Sequence, residues 1–253
     1  MQAAYVEAVK PQALFMIKQV IRRTLHAAGL YVHPLRTLPR GLDLFIDLAR
    51  RWHPRRPGVL FDVGANLGQT TGALHAAFPS ATIHVFEPVS TTFATMRRRL
   101  MGQSQLHLHQ AAVGESDGSC LMEARPNGGS NRLITPGQPM QDLPVESVPM
   151  LRLDTFCAHH GVGAIDLLKT DCEGHDLEVL RGASGLLAAG AIDCIYSEVN
   201  FRRDGRHGDF FAIEAYLRPL GYDFTALYDY SGWQCDLSRE AFANALFTRR
   251  SHP

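Results

Sequence analysis

The chain has 253 residues, 45% of them hydrophobic, with 25 Lys and Arg against 25 Asp and Glu. That is enough apolar material to bury a full core, which argues against disorder, and the balanced charge gives no net field toward nucleic acid or anionic lipid, so any recognition must be local. No stretch reaches the ~18 uninterrupted apolar residues of a membrane span. The five cysteines are odd in number and scattered without a CxxC pair, which argues for reduced thiols in a cytoplasmic protein rather than a disulfide frame or zinc site.

In chain order, residues 1–57 read as a helical extension. The stretch "ALFMIKQVIRRTLHAAGL" (13–30) puts Leu14, Ile17, Ile21 and Leu25 on one stripe, with Lys18, Arg22 and Arg23 elsewhere. Such a helix can dock on the main domain, lie on a membrane surface, or meet a partner, including a second copy in a homo-oligomer. No small-residue cleavage site follows an apolar core, so it does not read as a signal peptide. A second helical pattern, "GLDLFIDLARRW" (41–52), runs into the stop "HPRRPG".

From residue 58 to 253 the spacing predicts one α/β domain. Apolar runs at 58–63, 82–87, 106–113, 165–170 and 193–199 alternate with helical segments at 69–78, 90–100 and 176–189. Alternation of this kind implies a parallel sheet with helices on both faces. After a last helix at 209–219, strands near 222–230 and 244–249 have no room for a crossover and should pair antiparallel. The Gly- and Pro-rich stretch 125–144 reads as an insertion or lid. In "LHLHQ" (106–110) His107 and His109 read as the wetter face of a strand, with a metal pair as the alternative, and His159 and His160 as polar surface.

The first strand ends "FDVGANLG". In a doubly wound sheet the ligand crevice lies at the carboxyl ends of the strands, so Gly64 and Gly68 can let a ligand approach bare backbone. The dinucleotide fingerprint G-x-G-x-x-G is not met, because Asn66 and Gln69 stand where its second and third glycines belong. Asp62 repels phosphate and attracts an ammonium, and Glu87, ending the second strand, can accept hydrogen bonds from two ribose hydroxyls. A nucleoside without phosphate and with an amino-acid tail, S-adenosylmethionine, meets these demands. Ser116 and Asp117 follow the third strand, where adenine should lie, although "GESDG" also reads as an ordinary turn. Asp62 and Glu87 could instead cap helices.

"FDVGANLGQTT", "FEP", "AAVGESDG", "LDTF", "LLKTDCEGHDLEVLRGA" and "IYSEV", in that order, resemble the FkbM family of S-adenosylmethionine-dependent methyltransferases over roughly 58–200. The resemblance implies a Rossmann-like class I methyltransferase fold, a mostly parallel seven-stranded sheet with an antiparallel final strand, and methylation of a hydroxyl on a sugar or secondary metabolite. Cys172 and His175 depart from it, standing where the family commonly has an aliphatic and a small residue.

The segment 167–176 carries the chemistry that remains. Asp171, Glu173 and His175 come at the end of the fourth main strand, beside the expected methyl group. With Glu198 they are the candidate bases for an alcohol that must lose its proton during attack. Glu173 or Asp176 could equally cap the next helix. Lys169 is one of only three lysines against 22 arginines, which suggests either a compact ammonium wanted inside a strand or a structural ion pair. Asp171, Glu198 and Asn200 would give three oxygen ligands suited to magnesium. The balanced charge, and the lack of an Asn/Asp-Pro-Pro-aromatic clamp after this strand, favour a small-molecule acceptor over nucleic acid. The rival readings are a nicotinamide-dependent oxidoreductase and a cofactor-binding module without catalysis.

Overall fold

The computed structural model describes residues 11–30, 32–125, 131–134, 144–201, 208–231 and 242–250. The chain forms two compact units, Met1–Leu42 and Asp43–Pro253. The first contains α1 (Pro11–Ala27), a helix whose described side chains are mostly exposed. Among the described residues no helix is long and apolar enough to cross a membrane.

The second unit is built on a seven-stranded sheet. Its strands are β1 (Val59–Val63), β2 (Thr82–Phe86), β3 (Leu106–His109), β7 (Ile165–Thr170), β8 (Ile192–Asn200), β9 (Tyr222–Ser231) and β10 (Phe242–Arg249), in the order β3-β2-β1-β7-β8-β10-β9. All neighbours pair parallel except β10, which runs antiparallel to both β8 and β9. Successive side chains of a strand point to opposite faces. Phe61 and Val63 therefore enter one core with Phe86, Ile195 and Phe247, while Leu60 enters the other with Ile83, Val85 and Leu167.

The first core is covered by α5 (Leu153–His160), α6 (Asp176–Arg181), α7 (Ser184–Ala188) and α8 (Phe210–Leu217). The second is covered by α2 (Leu44–Trp52), α3 (Gln69–Ala77) and α4 (Ser90–Arg99). Helix α2, which the sequence groups with the extension, thus buries Leu44, Leu48 and Trp52 in this unit. Its first turn is capped by the Asp43 carboxylate, which accepts from the Ile46 amide at 2.9 Å, and the Trp52 indole donates to Asp193 at 2.9 Å.

Three expectations change. The run 106–113 is two strands, because the chain leaves the large sheet after His109. There β4 (Ala112–Val113) joins β6 (Val145–Leu151) and β5 (Gly118–Glu123) in a small second sheet. The helix expected over 176–189 breaks into α6 and α7 at Gly182, where a Cβ would lie 2.0 Å from the Gly114 carbonyl oxygen, so the chain passes too close for any other residue. The histidines of 106–110 are not simply a wet face. His109 Nε2 lies 3.1 Å from His84 Nδ1, and both rings pack edge-on to Phe156 of α5, which also stacks on His160 with ring centres 4.0 Å apart.

Burial, helped by the other histidines nearby, pushes both His84 and His109 down to about 4. Each therefore stays neutral where the unfolded chain takes up a proton, between about pH 6.5 and 4. The unfolded state binds more protons in that window, so this contribution to stability falls as pH is lowered through it. Relative to wild type, His84→Phe/His109→Phe should gain about 2 kcal/mol between pH 7 and pH 5, after allowance for the rings' partial contact with solvent. Urea unfolding of both proteins at the two pH values checks this, and comparison with wild type cancels the other titrating groups.

Candidate active site

A cleft of about 690 Å³, open solvent included, lies at the carboxyl ends of β1, β2 and β7, the edge of a parallel sheet where ligands bind. Its floor is the turn after β1. Gly64, with φ 73°, is where the turn crosses the chain leaving β7, and a Cβ there would sit 1.9 Å from the Asp171 carbonyl oxygen. Gly68 (φ 81°) is the residue before α3, and a Cβ there would meet the Leu100 side chain at 2.9 Å. Gly64 lines the cleft and Gly68 does not. Close backbone packing, rather than ligand approach alone, is what both positions require. Between them Asn66 adopts φ 50° and turns toward the cleft, and its side-chain oxygen is buried with no hydrogen-bond partner among the described residues.

Glu87 follows β2 and is buried at the cleft wall. Its two oxygens accept from the Asn66 amide at 3.1 Å and the Val89 amide at 3.0 Å, and lone pairs remain for further donors. Burial raises this carboxyl to about 7, against the opposing pull of the two amides and Lys169.

Asp62 and Lys169 lie beneath the floor. They are register partners on β1 and β7, with Lys169 Nζ 2.9 Å from Asp62 Oδ1 and 2.9 Å from the Gly64 carbonyl oxygen. The other Asp62 oxygen accepts from the Thr71 hydroxyl at 2.6 Å. The ammonium that Asp62 attracts is the chain's own. Burial alone would lower the Lys169 pKa, but Asp62 and Asp171 outweigh it and hold the amine charged, so Lys169 cannot take up a proton. It pins the turn and stands 3.7 Å from Asp171 Oδ2.

The opposite wall is Asp171, Cys172, Glu173 and His175. Asp171 is 40% exposed. Glu173 at φ 52° and Gly174 at φ 101° fold this segment into left-handed backbone, a conformation that costs energy for a non-glycine residue and collects at functional sites. Neither Glu173 nor Asp176 caps α6, whose start has no side-chain cap. Asp176 is fully buried instead, accepts from the Cys172 amide at 3.3 Å, and is pushed up to about 7 by burial and by Asp171. Burial lowers His175, against Glu178 and a hydrogen bond with the Leu133 backbone. The imidazole is therefore neutral at neutral pH.

Ser116 and Asp117 lie elsewhere. Both are exposed, and Asp117 accepts from the Arg152 amide at 2.8 Å and the Thr155 hydroxyl at 2.7 Å, fastening the start of α5. The cleft edge expected for adenine is made by Ala111, Ala112 and Val113, where the chain turns from β3 into the small sheet. Of the expected lid 125–144, residues 126–130 and 135–143 lie outside the described residues, while Asn131 and Leu133 line the cleft. Asn131 is tied down by donating to the Thr92 hydroxyl at 3.1 Å.

Glu198 on β8 is behind the acidic wall rather than in it. Burial and then Asp171, Asp176 and Glu173 push it up to about 8, against Lys169. Asn200 is buried at the strand's end, where its amide donates to the Gly208 carbonyl. Among the described residues no group of three His, Cys, Asp or Glu is placed to hold a metal ion.

The family model described as Methyltransferase FkbM domain matches residues 62–224, from the Asp62 turn into β9. This chain belongs to the FkbM family of S-adenosylmethionine-dependent methyltransferases. Membership in the FkbM family turns the reading away from a nicotinamide-dependent oxidoreductase. The 31-O-demethyl-FK506 methyltransferase FkbM of Streptomyces tacrolimicus is 29% identical over 160 residues, 50% of this chain and 60% of that one. The 2-O-methyltransferase NoeI of Sinorhizobium fredii is 25% identical over 145 residues, 51% of this chain and 58% of that one. Methyltransferase 1 of Beauveria bassiana matches at 29% over 160 residues, 55% and 64% of the two chains. The chain thus spans about three fifths of the length of these curated relatives. Among solved structures, an rRNA methylase from Streptococcus thermophilus aligns with a TM-score of 0.47 at 10% identity, covering 81% of this chain and 93% of that one.

The residues fit the family's methyl donor. Glu87 retains acceptor capacity for a ribose diol, and the unpartnered Asn66 oxygen suits an ammonium. A carboxyl poised near 7 makes that fit pH-dependent. Ribose hydroxyls donate to the ionised form, so affinity for S-adenosylhomocysteine should be flat above about pH 7 and fall by up to roughly tenfold per pH unit below it. Calorimetry across pH 5.5–8.5 measures this slope, and Glu87→Gln should abolish it.

Proposed function

We propose that this FkbM-family chain transfers the methyl group of S-adenosylmethionine to a hydroxyl of a small acceptor, a sugar or secondary metabolite, in the cytoplasm. The observation that carries the reading is the two-walled cleft. Glu87 and Asn66 stand on the side suited to the donor's ribose and amino group, and Asp171 and His175 on the other side, where a hydroxyl could lose its proton. The similarity to a 31-O-demethyl-FK506 methyltransferase and a 2-O-methyltransferase supports a hydroxyl acceptor, and the free Cys120, Cys157, Cys172 and Cys194 suit a reducing compartment.

When bound, the donor supplies an electrophilic methyl on a sulfonium. An acceptor oxygen in line with that methyl would form the new O–C bond as the S–C bond broke, its bonding pair staying with sulfur. The chain's part is to hold the oxygen ~3 Å from the methyl carbon and to receive the hydroxyl proton. Asp171 is the proposed base because it is open to the cleft, with its amide fixed to the Val63 carbonyl at 3.1 Å. Neutral His175 stands beside it. Glu198 does not line the cleft, and Lys169 stays charged, so neither is placed to receive the proton.

Labelled methyl transfer to a panel of sugars and hydroxylated natural products tests this. The expected result is label on an acceptor oxygen, with activity indifferent to chelator. Binding of S-adenosylhomocysteine without turnover on any acceptor would instead indicate a cofactor-binding module without catalysis.

A further inference from the structure

We propose that α1 docks the protein on an anionic lipid surface, lying in the plane of the membrane interface. In this helix Met16, Ile17, Val20 and Ile21 are 67%, 50%, 63% and 52% exposed. At about 100° per residue they share one arc of the helix, while Lys18, Gln19, Arg22, Arg23 and His26, all exposed, share the other. No Asp or Glu occurs between Pro11 and Ala27, so the helix is a local cation in a chain whose total charge is balanced. Helix α2 shows the contrast, since its apolar face of Leu44, Leu48 and Trp52 is covered by the second core.

The placement of the charges selects the occupant. Lys18 falls at one border of the apolar arc and Arg23 at the other. Long cationic side chains there can lay their stems along hydrocarbon while their heads reach lipid phosphate. A second copy of α1 meeting this face would bring like charges together along both borders, with no acid on the helix to relieve them. Apolar insertion and attraction to anionic headgroups, by contrast, act together in one orientation.

Sedimentation of the full chain with vesicles tests the proposal. One set contains phosphatidylcholine alone and the other about 30% phosphatidylserine; the two border cations should make binding to the anionic set roughly thirtyfold tighter at low salt, weakening as salt is raised. Lys18→Glu/Arg23→Glu should remove most of that preference, and Ile17→Gln/Ile21→Gln should weaken binding at least ~tenfold. Both variants should keep the wild-type melting temperature and affinity for S-adenosylhomocysteine, which verifies the second unit. Three results would overturn the proposal: no sedimentation with either vesicle, equal binding to both, or binding untouched by the charge reversal. A concentration-dependent dimer that Ile17→Gln/Ile21→Gln abolishes would also overturn it, assigning the face to a second copy.

Discussion

Asp171→Asn should lower methyl transfer by ~10²–10⁴ at saturating donor. The substitution keeps the size of the side chain and most of its hydrogen bonding, and deletes the group placed to receive the acceptor's proton. Affinity for S-adenosylhomocysteine should change much less, because the carboxylate acts on the reacting centre rather than on the bound product. The split is the informative part. Asp171 lies 3.7 Å from Lys169 Nζ, and the ammonium keeps Asp62 and the Gly64 carbonyl as partners in the variant, so the floor of the cleft should survive. Single-turnover rates with an identified acceptor, beside calorimetry on the same preparation, give both numbers. Near-normal turnover would remove Asp171 from the chemistry and move the proton to His175.

Glu87→Ala should fail in the opposite way. Two charge-assisted hydrogen bonds to a ribose diol are worth ~1.5–3 kcal/mol each, so affinity for S-adenosylhomocysteine should fall by roughly a hundredfold or more. The structure adds a second cost, because the same carboxylate holds the Asn66 and Val89 amides, and Asn66 lines the cleft. Glu87→Gln keeps the size and one acceptor oxygen and should lie between wild type and alanine. Unchanged affinity in a folded Glu87→Ala protein would sink the assignment of the ribose to this residue.

The large sheet was legible because its inner strands are buried on both faces and so appear as apolar runs separated by helical spacing. The small sheet was not. Strands β5 and β6 are fully buried at only a few positions, mix polar with apolar residues, and β6 contains Pro149, so no run marks them. Gly64 and Gly68 stand out in the sequence, and the packing that requires them is visible only in the tertiary structure: one faces the Asp171 backbone and the other the Leu100 side chain. Asp62 and Lys169 were read as separate signals, one for a ligand and one for chemistry or structure. Register makes them neighbours and leaves them to each other. Ser116 and Asp117 follow the third apolar run, but the chain leaves the large sheet at His109, so it is Ala111 to Val113 that line the cleft. Glu87 and Asp171 were legible for the simplest reason: an acid that ends a buried parallel strand sits at the carboxyl edge of the sheet, where ligands bind.

Titration calorimetry of the wild-type chain with S-adenosylhomocysteine at pH 8, in parallel with NAD, tests whether this cleft is a nucleoside–amino-acid site built around Glu87. The expected result is a single saturable site for S-adenosylhomocysteine, lost in Glu87→Ala, and no measurable heat with NAD. Binding of NAD in its place, or S-adenosylhomocysteine binding that persists undiminished without the Glu87 carboxylate, would contradict it.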